Sequence, residues 1–314
     1  SRTYDVIHVN QGHCYLAANE HRSSQRHGVF ICRSHGLDDR AERVLSGWRR
    51  VLGIPKRPGW KRLPGVFVDR ALSRHDRLAY RSVDGVLVSC SNDANYLKRH
   101  HELSDWRIGC VPQAPADEFV ATDASSLGEE RLNRLLHVGG LAYWKGVHAI
   151  AAAVNRILAT NQKAEMTWVC REEEHAAARS LLEPDLQGRV ELEPWMSQRE
   201  LMEVYDQHGI FLYPSLFEGF GKAFIEAKAR GLCVVGTPEG GMPDVIEDGK
   251  DGVLVGFNRP NEIAAAVYNL WADPDHAVAM SENAAKTARS YSWRRVAVET
   301  ASFYERLILG QKGK

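Results

Sequence analysis

Short uncharged apolar runs alternate with longer amphipathic stretches along nearly the whole chain. Tyr4–Asn10, Val29–Arg33, Gly85–Ser89 and Arg107–Val111 read as strands in the first part. A helix reaching about Arg26 and another over Asn92–His101 fall between them. Pro112, Pro115, Asp117, Thr122, Asp123, Ser125 and Ser126 then mark a linker. The same alternation resumes in the second part. Strands are expected at Leu135–Gly139, Met166–Cys170, Ile210–Tyr213 and Leu232–Gly236, and Glu191–Met196 leads into Ser197, with Pro194 and Trp195 in a loop. Helices are expected up to Thr160, over 198–207, over Lys222–Arg230, over Asn261–Ala272 and over His276–Ser290, with a last one from Trp293 to about Leu309. Ser197 and Glu200 have the capping-box spacing. Asp273-Pro274-Asp275 reads as a helix cap and start rather than a metal-binding pair. Runs without charge suit strands covered on both faces, so the pattern predicts an α/β protein with parallel sheets.

Composition narrows this picture. With 314 residues, 44% hydrophobic and 25% charged, the chain has room for two domains, and its zero formal charge gives no field that would attract nucleic acid. Cys14, Cys32, Cys90, Cys110, Cys170 and Cys233 include no C-x-x-C pair, and several lie in apolar runs where cysteine acts as a small hydrophobe. No apolar run approaches the ~18 residues of a membrane span. SRTYDVIHVN does not read as a signal peptide, so the cytoplasm is the expected compartment.

One segment departs from this balance. Residues 40–81 carry twelve Lys or Arg against three acidic residues, with Trp48 and Trp60 interleaved. Two readings stay open: a surface that docks peripherally on an anionic membrane or polyanionic acceptor, or a solvated helical face with a Pro/Gly-rich loop.

The chemistry concentrates in Gly209–Gly241, which reads strand, loop, helix, strand, loop. Glu218 and Glu226 lie eight positions apart, which on one helix at about 100° per residue would leave them about 80° apart. They converge only with Glu218 in the loop and Glu226 just over one turn into the helix. Between them the amides of Gly219, Phe220, Gly221 and Lys222 crown a helix N-terminus suited to a phosphate or diphosphate. A buried strand-helix-strand unit with a solvated glutamate at each end accounts for the same letters.

This run resembles the E-x7-E signature of glycosyltransferase family 4, the retaining nucleotide-sugar transferases of GT-B fold. Glu218 and Glu226 fall on its glutamates, GFG follows the first, and GGMPDVIEDGKDGVLV matches the continuation. The resemblance runs from about Tyr4 onward. It implies two Rossmann-like domains facing a cleft: 1–121 on the acceptor side, 122–292 for the nucleotide sugar, and a helix 293–314 crossing back to the first. It also implies that Glu226 holds the donor ribose, that Glu218 and loop amides hold the transferred sugar, and that a histidine near His35 faces the phosphates and acceptor. The alternative for His35 is to cap a helix or steady its loop. Gly139, Gly140 and Lys145 match a second phosphate motif, whose lysine would neutralise the departing phosphate. The family usually has arginine where this chain has Gly140; Arg171 or Lys222 could compensate. Trp195 lies where relatives hold the base, and could stack on it or pack.

The resemblance therefore implies transfer of a sugar from a nucleotide diphosphate sugar, UDP-sugar ahead of GDP-mannose, to a sugar or lipid-linked acceptor. Neither a cofactor nor a metal is implied, and cell-envelope polysaccharide or glycolipid synthesis is the natural setting. A GT-B first domain normally begins with a further strand and Gly-rich loop, so either a partial chain or a separate chain completing that domain is expected. A non-catalytic nucleotide-sugar-binding subunit and a nucleotide-sugar epimerase are the alternatives.

Overall fold

A computed structural model describes residues 4–10, 15–24, 28–55, 74 and 76–312. The chain divides into two compact units. Unit 1 comprises Ser1–Gln113, Phe217–Phe220 and Trp293–Lys314; unit 2 comprises Ala114–Leu216 and Gly221–Ser292.

Unit 1 is built on a parallel sheet in the order β1 (Val6–Asn10), β2 (Val29–Arg33), β3 (Gly85–Val88) and β4 (Ile108–Cys110). Apart from Arg33, β2 is wholly buried, as is all of β3. Such burial explains their uncharged sequences: backbone groups are satisfied along the ladder and apolar side chains fill both faces. Phe30, Leu37, Tyr80, Val83 and Leu97 form the core with helix Ser91–His101 and residues 76–82. Helix Asp38–Val51 is anchored by charge. Arg40 Nη1 donates to Asp93 Oδ1 at 3.0 Å, and Asp39 Oδ2 accepts from Tyr96 OH at 3.2 Å and bonds His101 Nε2 at 2.7 Å. Helix Trp293–Lys312 closes the unit. Its Phe303 and Leu307 lie where Cβ atoms on Gly85 and Gly109 would stand, less than 3 Å away.

Unit 2 carries a six-stranded parallel sheet in the order β10-β9-β8-β5-β6-β7, comprising β5 (Arg134–Val138), β6 (Glu165–Val169), β7 (Val190–Glu193), β8 (Ile210–Tyr213), β9 (Cys233–Gly236) and β10 (Val253–Leu254). Trp168, Leu135, Ile210, Leu212 and Val235 are buried with Ile150, Val154 and Ile157 of helix Val147–Thr160 and Ile263 and Val267 of helix Pro260–Ala272. Helix Lys222–Ala229 packs with helix Pro274–Arg289. Both local caps expected from sequence form: Ser197 and Glu200 make a reciprocal capping box, and Asp273 accepts from the His276 N–H.

Several boundaries differ from the sequence expectation. The stretch read as a linker contains helix Asp117–Ala121, whose Phe119 is fully buried against the Tyr205 ring. Arg230 holds its far end by donating to the carbonyls of Phe119 and Thr122. The stretch read only as leading into Ser197 opens with β7, which stops at Glu193 because Pro194 has no N–H to offer the ladder. Of the basic segment 40–81, residues 56–73 and 75 lie outside the described residues, as do Gln11, His13 and Cys14. Cys32, Cys90, Cys110, Cys170 and Cys233 are not joined in disulfides. Among the described residues no helix is long and apolar enough to cross a membrane.

Candidate functional site

The order of the unit 2 sheet reverses between β5 and β8, and ligands of such sheets settle beyond the carboxyl ends of the strands at that point. The two loops there are built into each other. After β5 the chain passes Gly139 and Gly140 into a short 3-10 turn, Tyr143–Lys145. Leu216 N–H donates to Trp144 O at 2.7 Å. Gly146, at φ 74°, lies so close to Pro214 O that a Cβ would stand 2.2 Å from it. This position needs glycine for both reasons. Lys145 Nζ is thereby brought 3.4 Å from Tyr213 OH and 5.5 Å from the centre of its ring, at the end of β8.

The Gly139 turn is fixed from below by two residues that sequence reading passed over. Trp168 Nε1 donates to Gly139 O at 3.1 Å, while His137 Nδ1 bonds Leu212 O at 2.7 Å. Burial lowers the His137 pKa to about 4, with the Lys145 charge acting in the same direction. The imidazole is therefore neutral at pH 7 and does not compete with Lys145 for an anion. Its letter, inside an apolar strand, was the available signal.

Gly140 faces an acid. A Cβ there would meet Glu174 Oε2 at 3.0 Å, and the same oxygen accepts from Leu141 N–H at 3.3 Å. Arg171 Nη2 donates to Glu174 Oε1 at 2.6 Å, which is the leading reason the Glu174 pKa falls. Arg171 is thus tied beside Gly140, a tertiary pairing with no local sequence signature.

Helix Lys222–Ala229 begins at Gly221, whose φ of 92° turns the chain into it. Glu226 lies in its second turn, as the spacing requires, 3.7 Å from Lys222 Nζ. Burial raises the Glu226 pKa and Lys222 opposes that shift. The far end is locked by buried charge. Lys228 Nζ reaches Asp251 Oδ1 at 2.8 Å, and Arg230 clasps both carboxylate oxygens of Asp206 at 2.7 and 2.8 Å.

Glu218, Gly219 and Phe220 group with unit 1. Glu218 is buried, and its carbonyl accepts from Arg40 Nη1 at 3.4 Å while the Arg40 guanidinium lies 5.0 Å from the Phe217 ring centre. The sequence suggests that Gly219 lets backbone approach a ligand. In the structure the close approach is to the chain itself: a Cβ at Gly219 would sit 1.7 Å from His35 O. His35 is exposed, and its Nδ1 lies 3.4 Å from Gln113 Nε2. Phe220 is buried. Trp195 is half exposed just past β7, beside Glu193, Pro194 and Met196. Among the described residues no group of three or more His, Cys, Asp or Glu side chains could hold a metal ion.

The family described as "Glycosyl transferases group 1" matches residues 121–287, more than half of the chain. D-inositol 3-phosphate glycosyltransferase of Corynebacterium jeikeium is 29% identical over 245 residues, which are 72% of this chain and 58% of that one. Sucrose-phosphate synthase from Thermosynechococcus elongatus superposes with a TM-score of 0.70 at 19% identity, covering 98% of this chain and 74% of that. Anabaena Alr3699/HepE, solved with UDP and glucose, gives a TM-score of 0.68 at 16% identity, covering 97% of this chain and 77% of that. The shared feature at this identity is the GT-B fold. The chain spans 24% and 58% of the length of two of the curated relatives it matches.

Proposed function

Since the chain belongs to the glycosyl transferases group 1 family, we propose that it moves a sugar from a nucleotide diphosphate sugar to an acceptor hydroxyl with retention. The observation that carries this reading is the loop pair at the β5/β8 reversal, which holds Lys145 at the carboxyl end of β8 in the same unit as the helix beginning at Lys222. Negative charge builds on the departing diphosphate, and an ammonium together with the positive end of a helix lowers the barrier by meeting it there. On this reading Lys145 and the amides after Gly221 face the diphosphate, and Glu226 takes the ribose hydroxyls. Glu218 and Gly219 hold the transferred sugar, His35 faces the acceptor, and Trp195 stacks on the base. With no carboxylate assigned as a nucleophile among the described residues, the favoured route is attack from the leaving-group face, the departing phosphate taking the acceptor proton.

UDP is the favoured nucleotide, ahead of GDP, in keeping with the UDP bound by Anabaena HepE. The acceptor is a sugar or lipid-linked sugar of the cell envelope. Helix Asp38–Val51, with exposed Arg43, Arg49 and Arg50, would bring unit 1 to an anionic membrane. A thermal-shift screen with UDP, GDP, ADP and dTDP tests the donor, and kinetics of Glu226→Ala and Lys145→Ala test the roles. Near-wild-type kinetics in both variants would overturn the assignment.

A second reading, a subunit that binds the nucleotide sugar without transferring it, draws on one observation: Glu174 faces Gly140. Release of free nucleotide by the purified chain excludes it.

A further inference from the structure

The glycines that let the Glu218 loop turn also leave it with little conformational preference of its own. Leu216 N–H fixes its start by donating to Trp144 O, and the helix that follows Gly221 fixes its end. Between these points Phe217–Phe220 groups with unit 1, where it meets the stretch from His35 to Arg40. A Cβ on Gly219 would stand 1.7 Å from His35 O and 3.1 Å from the Gly36 Cα. That contact limits how near the two backbones come, but van der Waals packing has no direction. Arg40, in the first turn of helix Asp38–Val51, supplies the direction. It is only 6% exposed, and a guanidinium so placed needs partners. Its Nη1 carries two hydrogens and has two acceptors, Asp93 Oδ1 at 3.0 Å and Glu218 O at 3.4 Å. The guanidinium carbon lies 5.0 Å from the centre of the Phe217 ring, within cation–π range. Asp93, in the first turn of helix Ser91–His101, is fully buried, so this arginine is anchored on a second element. The ion pair accounts for the charge of Arg40. It does not account for the bond to Glu218 O or for the ring, both of which belong to the loop.

We infer that Arg40 is the positioning residue of this loop, holding its backbone where the Glu218 side chain meets the transferred sugar. The meeting with the sugar rests on the transferase reading above; the tether itself does not. Arginine suits the task because one planar group offers an edge to two acceptors and a face to a ring. A lysine ammonium can keep the pair with Asp93, but it has no flat face for Phe217 and no fork. With lysine there, the loop samples other conformations and a smaller fraction of molecules has Glu218 in place. Turnover falls with that fraction, since misplacing a substrate-holding group by about 1 Å can cost about 10²-fold. The nucleotide contacts proposed for Lys145 and Glu226 lie in unit 2 and are left intact.

The test is Arg40→Lys in the full chain with two independent readouts. One is nucleotide release from saturating UDP-glucose, set beside the Kd for UDP. The other is brief chymotrypsin digestion of the native protein, with the cuts mapped by mass, because Phe220 is buried and Phe217 partly so. Expected are a kcat at least tenfold lower, a Kd for UDP within twofold of wild type and a nearly unchanged melting temperature. Cleavage after Phe217 or Phe220 should be at least tenfold faster, with cuts elsewhere unaffected. A smaller loss of kcat, or a loop no more open to the protease, overturns the assignment. So does a kcat that falls in step with UDP affinity and melting temperature, which is the signature of a purely structural arginine. Should Arg40→Lys fail to fold, Phe217→Leu, which leaves the Asp93 pair intact, carries the same readouts and the same limits. If the wild-type chain releases no nucleotide, the failure lies with the transferase reading, and selective cleavage of the loop alone upholds or removes the tether.

Discussion

Replacing Lys228 by methionine is the most informative stability test the structure offers. The ammonium is wholly buried, 2.8 Å from Asp251 Oδ1, and also donates to Asp251 O at 2.9 Å and Val245 O at 3.4 Å. Burial lowers its pKa and Asp251 opposes that shift. At 2.8 Å and an effective dielectric of about 20, the gross attraction is about 6 kcal/mol, most of it offset by desolvation. Methionine fills similar volume but leaves Asp251 charged in the interior. Removing one partner of such a pair costs about 3–5 kcal/mol. Asp251 keeps its bonds from Glu247 N–H and Thr287 Oγ1, so the lower end of that range applies. For a unit of this size about 3 kcal/mol corresponds to a fall of roughly 6–12 °C in melting temperature. Scanning calorimetry would follow the transition of unit 2. The double variant Lys228→Met/Asp251→Asn, in which the amide can still accept from Glu247 N–H, should recover most of the loss. A fall below 2 °C in the single variant, or losses that simply add in the double, would refute the argument that the unpaired carboxylate is what costs stability.

Glu226→Ala should weaken nucleotide-sugar binding by about 1.5–3 kcal/mol, read by calorimetry, with the fold intact by circular dichroism. Lys145→Ala should instead lower kcat about 10²- to 10³-fold with donor binding changed far less, read by nucleotide release under saturating donor. Trp195→Ala, at a half-exposed position, should leave stability within about 0.5 kcal/mol and weaken UDP binding by about 1–3 kcal/mol if the ring stacks on the base. Asp76 is buried with Asp38 and Asp39 nearby, and burial first, then those charges, raise its pKa to about 7. The folded state therefore holds this proton between about pH 4 and 7 while the unfolded state does not. The contribution to stability is present at low pH and lost as pH rises through 7. Asp76→Asn should accordingly flatten the decline in melting temperature between pH 5.5 and 8.

What could be read from the letters was what is decided locally. Ser197 with Glu200, and Asp273 with His276, cap helices within three residues of themselves, so their spacing was sufficient. The uncharged runs at Ile210–Tyr213 and Gly85–Ser89 likewise announced buried strands. Helix Asp117–Ala121 was hidden because prolines and small polar residues surround it. It is held by Phe119 in the core and by Arg230, more than a hundred positions away in sequence. Lys228 looked like any helix lysine, since its burial depends on a loop beyond the next strand. The same limit hid Glu174 against Gly140 and the His35 backbone against Gly219: each is a contact between distant segments, which periodicity does not encode.

The two glycines that admit Phe303 and Leu307 carry an implication for biogenesis. β3 and β4 emerge from the ribosome early, yet the rings and methyls that fill the hollows at Gly85 and Gly109 are translated only after all of unit 2. Until then the nascent first unit presents an unfilled greasy furrow, an obvious address for a chaperone. A stop codon introduced before Trp293 should accordingly yield a polypeptide held in chaperone complexes or cleared by proteases, even though every strand has been made.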